Sequence, residues 1–153
     1  MALTAHVFPQ FIIGMNAGNI VLTGGTYKVA LSNATGPIGE STTGISTAKL
    51  FTDWTANVAA EITGTGYTAG GATVSAPTFT AGGSNNTIGT WTSGSNPQWT
   101  SSTFTANQGV FYESSASTYQ LICWWDFGGS VSVTSSTFTL TISGSGLLTA
   151  TAS

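Results

Sequence analysis

The sequence predicts an all-β protein, an antiparallel β-sandwich of jelly-roll or Ig-like type with one short helix around residues 46–60. Three observations carry this. Charged residues make up only 5% of the 153-residue chain, against roughly 25% in an average soluble domain, and Thr, Ser, Gly and Asn supply the polarity instead. Apolar residues reach 41% with five tryptophans, more than a disordered chain carries. Short strand-like runs then alternate with Gly/Asn/Ser/Pro turns through most of the chain, the pattern of a sandwich or barrel.

Taken in order, residues 1–22 form an N-terminal segment or arm preceding a single β domain over 23–153. Residues 7–22 are apolar without a clear period, and Pro9, Gly14 and Gly18 argue against a continuous helix there. This segment either packs on its own domain or docks on a neighbouring subunit through Phe8, Phe11, Ile12 and Ile13. After the turn at Thr23-Gly24-Gly25, Tyr27, Val29 and Leu31 share one face of a strand. Ile45, Ala48, Phe51, Trp54, Val58 and Ile62 recur at spacings of three and four, which places the helix, with Ser46 or Thr47 as its cap.

Glu61-Ile62-Thr63-Gly64-Thr65-Gly66-Tyr67-Thr68-Ala69-Gly70-Gly71 is the densest glycine cluster. Its G-x-G-x-x-x-G spacing lacks the dinucleotide fingerprint's third glycine, a following helix and a Lys-Ser/Thr end. A structural corner therefore fits better, with Gly64, Gly66, Gly70 and Gly71 permitting the turns and Tyr67 plugging the core. Strands are then expected over Thr73–Thr80 (an edge or bulged strand, because of Pro77), Thr87–Thr92, Gln98–Ala106, Val110–Glu113, Tyr119–Phe127, Val131–Val133, Thr137–Ser143 and Leu147–Thr149. Ser101-Ser102-Thr103-Phe104-Thr105 recurs as Ser135-Ser136-Thr137-Phe138-Thr139, a strand pattern used twice with Phe inward and Thr outward.

Composition also limits function. Lys28 and Lys49 are the only cations and the formal charge is −3, so neither nucleic acid nor an anionic membrane is an expected partner. No apolar run approaches 18 residues and the N-terminus lacks a signal-peptide pattern, which points to synthesis in a cytoplasm without a membrane span. A surface so poor in charge suits a protein that spends its life assembled.

No catalytic set, cofactor or metal site is expected. His6 is the only histidine and lies near a terminus, and Cys123 is the only cysteine, which argues against a Ser-His-Asp or Cys-His machine and a metal cluster and rules out an intrachain disulfide. Glu113 and Asp126 on neighbouring strands resemble a glycosidase pair only in residue type. Asp53 and Glu61 are better read as caps for backbone amides. In Leu121–Phe127, period two puts Leu121, Cys123, Trp125 and Phe127 in the core and turns Trp124 outward to solvent or a subunit. Exposed tryptophan marks contact surface or a stacking platform for sugars, and Trp91 and Trp99 present the same choice.

Several segments in order resemble a family of small tailed-bacteriophage virion structural proteins. They are Thr26–Leu31, Val58–Gly71, Trp99–Ala106, Gly109–Tyr112, Trp125-Asp126-Phe127-Gly128-Gly129 and Thr137–Ile142. The most specific is the Glu-x-x-Gly-Thr-Gly-Tyr-Thr-x-Gly-Gly motif of Glu61–Gly71. The chain departs from the family in carrying Asn107-Gln108 where Arg often follows the Thr-Phe-Thr-Ala strand, and in its lower charge. The resemblance implies a non-catalytic role in the virion, assembled in the host bacterial cytoplasm. Its short single domain favours a capsid decoration (head) protein, a symmetric homo-oligomer and most often a trimer, contacting the major capsid protein or other virion proteins. The alternative is a tail-tip or fibre-associated module binding host glycans through Trp91, Trp99 or Trp124.

Overall fold

A computed structural model describes residues 4–17, 25–34, 51–52, 54, 61–74, 78–82, 88–115, 120–142 and 148–151. The fold is mostly β. Strands β1 (Thr4–Val7), β2 (Tyr27–Ser32), β3 (Ala72–Val74), β6 (Gln98–Glu113) and β7 (Leu121–Thr139) form a five-stranded antiparallel sheet in the order β1-β7-β6-β2-β3. Strands β4 (Thr78–Gly82), β5 (Ile88–Thr92) and β8 (Leu148–Thr151) form a separate antiparallel ladder, β4-β5-β8. Helix α1 (Pro9–Asn16) follows β1.

α1 corrects the expectation drawn from Pro9 and Gly14. Pro9 occupies the helix start, where the missing N–H is not needed and φ is already preset. Gly14 costs about 1 kcal/mol in a helix interior, and burial of Phe11, worth about 1.5–3 kcal/mol, offsets it. The Ala17 N–H closes the last turn on the Ile13 carbonyl at 3.0 Å. Of the span expected to be helical, 46–60, most lies outside the described residues, but Phe51, Thr52 and Trp54 are helical. Phe51 stacks on Tyr112 at 4.2 Å and on Trp54 at 5.3 Å, which holds this turn against β6.

Residues 4–17 are integrated into the sheet. β1 pairs with β7 in the register Thr4↔Asp126 to Val7↔Cys123, and the Phe8 N–H donates to the Ile122 carbonyl at 3.0 Å. Phe8 and Phe11 are buried side chains of the core. The candidate docking role of these two residues is therefore corrected: their rings are spent inside the chain's own core.

Thr73–Thr80 is not one strand. Ala72–Val74 pairs with β2, whereas Thr78–Gly82 pairs with β5 in the other ladder. Conversely, β6 and β7 run through residues that fall between the expected strands. Asn107-Gln108-Gly109 stays in β6, and Gly128-Gly129 stays in β7 as an interruption: Ala106 faces Val131, yet Gln108 already faces Asp126. Glycines at φ +70° and +144° let the extra β7 residues bulge out without ending the strand.

Two aromatic clusters organise the core. Trp91 of β5 sits edge-on to Tyr27 of β2 and Phe111 of β6, both at 5.0 Å, so the three-stranded ladder touches the sheet through a fully buried indole. Trp99, Phe104, Phe127 and Phe138 form the second cluster at the far end of the β6–β7 ribbon. The repeated Ser-Ser-Thr-Phe-Thr motif supplies Phe104 and Phe138, which meet edge-to-face at 5.5 Å.

Candidate functional site

The Glu61–Gly71 corner is built around one carboxylate. Glu61 Oε1 accepts the Tyr67 hydroxyl at 2.7 Å and the Gly70 N–H at 2.6 Å. The same Tyr67 oxygen accepts the Leu31 N–H at 2.9 Å, and Ile62 N–H donates to the Leu31 carbonyl at 3.0 Å. Tyr112 Oη donates to the Gly70 carbonyl at 2.7 Å. β3 pairs with β2 only as far as Val29, so the corner takes over the ladder groups of Leu31 that β3 leaves behind. Burial, reinforced by the Glu61 hydrogen bond, holds the Tyr67 phenol well above the usual tyrosine range, so it stays protonated and keeps donating.

Its glycines have distinct jobs. Gly66, Gly70 and Gly71 adopt φ of +75°, +86° and +75°, a region L side chains rarely enter. At Gly71 an added Cβ would lie 1.8 Å from the Val29 carbonyl oxygen, and at Gly64 it would lie 2.4 Å from that of Thr103. Gly64 is thus a close-approach residue, with Thr65 bridging to Thr103 of β6. The Tyr67 ring lies 5.9 Å from Phe104 and 6.2 Å from Trp99. The Glu61 carboxylate, the Tyr67 phenol and the Gly70 backbone are thus all engaged with their own chain, which makes the corner an internal brace.

Trp124 is 2% exposed, which corrects the expectation of an outward-facing contact residue. β1 covers it: His6 pairs with Trp124 in the ladder and stacks on its indole at 4.2 Å and 13°. Leu121 to Trp125 are all buried, because this part of β7 has a strand on each edge and cover on both faces. Trp91 and Trp99 are buried as well, as are Trp54 and Trp125. Of the residues expected at a contact surface only Ile12 and Ile13 are open, at 49% and 57% exposure. They project from a helix without a charged residue.

Glu113 and Asp126 are brought nowhere near each other. Asp126 faces Gln108, five residues along β6 from Glu113, roughly 17 Å at about 3.4 Å per residue. A glycosidase pair needs roughly 5–9.5 Å. Glu113 instead accepts the N–H and hydroxyl of Ser115 at the end of β6. Asp53 lies outside the described residues. Burial pushes the Cys123 thiol up to about 12, far from a reactive thiolate.

The β7 interruption also creates a cleft of about 210 Å³ lined by Ala34, Asn107, Gln108, Asp126, Gly128 and Ser130. Asn107 Nδ2 donates to the carbonyls of Asn33 and Ala34 at 2.8 and 3.2 Å, and the Asp126 carboxylate accepts the Gly128 N–H at 2.8 Å. Asn107 and the Asp126–Gly129 run, far apart in sequence, therefore meet at one place. The cleft is smaller than the roughly 300–1,000 Å³ of a typical ligand pocket, and the three side-chain hydrogen bonds just described brace neighbouring backbone. Sequence reasoning missed it because its glycines fall between two expected strands and its two runs are far apart in the chain.

Among the described residues no three His, Cys, Asp or Glu side chains come together as a metal site, and no helix is long and apolar enough to cross a membrane. Compared with protein-family models, with curated proteins and with solved structures, the chain matches none.

Proposed function

We propose that this chain is a non-catalytic structural protein of a bacteriophage particle, acting as a capsid decoration protein and assembling as a symmetric homo-oligomer on the shell. The burial of all five tryptophans is the observation that carries this over the glycan-binding alternative. A sugar platform requires exposed aromatic faces, and Trp91, Trp99 and Trp124 are each closed in by rings of their own chain. The Glu61–Gly71 motif fits a non-catalytic reading, since its carboxylate, phenol and glycines are used to brace the domain. Exposed Ile12 and Ile13 offer an apolar contact for the major capsid protein. In the same reading the β4-β5-β8 ladder forms the second layer of a sandwich, seated on the larger sheet through Trp91.

Localisation in intact particles tests the proposal. Cryo-EM of purified virions, or labelling of separated heads and tails, is expected to find the chain on the head surface in symmetric clusters. Finding it only on tails would sink the decoration reading.

A further inference from the structure

β1 covers the outer edge of β7 only from Cys123 to Asp126. Beyond that point, among the described residues, β7 pairs with β6 alone. Between the Gly128-Gly129 interruption and Ser135, which has φ +46°, lies a regular stretch, Ser130-Val131-Ser132-Val133-Thr134. Ser130, Ser132 and Thr134 are exposed, while Val131 and Val133 are half-buried against the core. Proteins usually guard such an edge with Lys, Pro, an inward charge or a bulge. Between its two flanking irregularities this stretch has none of these, and no charged residue follows Asp126 anywhere in the sequence.

The stretch is also complementary to itself. A two-fold contact requires each residue to suit the residue its own copy presents. Antiparallel pairing centred on Ser132 sets Ser130 against Thr134, Val131 against Val133 and Ser132 against Ser132, hydroxyls on one face and valines on the other. The inner edge of the same residues already works this way: Thr105 Oγ1 and Ser132 Oγ are 2.8 Å apart, and Val133 faces Phe104. No like charges meet across such a join, although the whole chain carries −3.

We propose that Ser130–Thr134 pairs with the same stretch of a second copy about an axis through Ser132, joining two five-stranded sheets edge to edge. The pairing rests on the strand edge alone and not on the particle reading above. Five residues a side make a small contact, so association is concentration-dependent in solution.

Sedimentation of the full chain from micromolar to near-millimolar concentration is expected to show the mass rising above that of one 15.5 kDa chain. Ser132→Lys, which sets two ammonium groups opposite each other, is expected to abolish the rise. Ser132→Ala, which keeps the backbone edge, retains it. In Ser132→Cys the two thiols face each other with Cα atoms about 4.5–5.5 Å apart, within disulfide reach, so mild oxidation yields a covalent dimer. Ser136→Cys, exposed on the same strand, is the control, because its copies are roughly 27 Å apart in this register. The native thiol is buried and does not interfere. A wild-type mass that stays at one chain, sedimentation unchanged by Ser132→Lys, association lost in Ser132→Ala, or cross-linking no faster in Ser132→Cys than in Ser136→Cys would each overturn the proposal. Circular dichroism of each variant confirms that the fold is retained.

Discussion

The Tyr67 hydroxyl donates to the Glu61 carboxylate at 2.7 Å while accepting the Leu31 N–H at 2.9 Å. One phenol thus joins the start of the corner to a strand 36 positions away in sequence. The carboxylate is locked in place because Gly70 also donates to it. Removing the oxygen strands a backbone donor and loosens an acceptor together.

Tyr67→Phe is accordingly expected to lose about 1–3 kcal/mol, the cost of leaving a buried donor unsatisfied. Tyr67→Ala adds the cavity left beside Trp99 and Phe104 and is expected to lose about 3–5 kcal/mol. Glu61→Gln keeps an acceptor oxygen and is expected to lose less than Tyr67→Phe. Urea unfolding checks the order, with a shift of midpoint at unchanged slope.

Glycine substitutions separate close approach from backbone strain. Gly71→Ala combines φ +75° with a Cβ driven into the Val29 carbonyl, so β2 and the corner cannot both keep their places, and the variant is expected to be unfolded or recovered only as aggregate. Gly129→Ala meets no atom within 4 Å and carries only the strain of φ +144°, about 1–3 kcal/mol. Soluble yield and thermal melting of the two variants distinguish these outcomes.

How much of this was legible in the sequence follows from what each signal depends on. The β2 strand was readable because Tyr27, Val29 and Leu31 alternate, and all three are buried. The corner was readable because positive φ at Gly66, Gly70 and Gly71 demands glycine whatever surrounds it. Trp124 is buried against the period-two expectation because that period assumes one open face, and the long-range pairing and stacking of His6 on Trp124 help to close it. Asn107-Gln108 and Gly128-Gly129 fall between the expected strands because a bulge and a strand end use the same residues. What separates them is the partner strand, which local sequence does not contain. The cleft was hidden for the same reason, since it exists only where those two runs meet.

Alkaline pH is expected to unfold the domain early. Burial pushes Cys123 from 9.0 up to about 12, and burial with the nearby Glu113 charge pushes Tyr27 from 10.0 up to about 12. Tyr67 is raised as well. Each raised value means that the folded state favours the protonated group, so its contribution is complete below the unfolded pKa and is lost as pH rises through the folded one. Melting temperature is therefore expected to be flat up to about pH 9 as far as these groups are concerned, then to fall steeply toward pH 12. Cys123→Val removes the earliest part of that fall while keeping a buried apolar side chain, which a melting series against pH resolves.

The two copies of the Ser-Ser-Thr-Phe-Thr motif make the last prediction. Among the described residues Ser101 and Ser135, the first residue of each, are the non-glycine positions at positive φ, +51° and +46°, and the copies face each other through Ser102↔Ser136. At Ser101 the cause is visible: Gly66 of the corner lies against the carbonyls of Thr100 and Ser101, so β6 bends to receive it. At Ser135 the N–H turns to Thr103 Oγ1 at 3.0 Å. A left-handed L residue costs about 1–2 kcal/mol, and glycine relieves that strain while adding about 0.5–1 kcal/mol of unfolded-state entropy. Ser135→Gly is therefore expected to stay within about 0.5–1 kcal/mol of wild type, on the stabilising side. Ser135→Val, whose branched side chain resists this region, is expected to lose about 1–2 kcal/mol despite valine's preference for strands. Paired thermal melts decide it: if valine proved the more stable of the two, Ser135 would be an ordinary strand residue, and the bend would have to come from the corner alone.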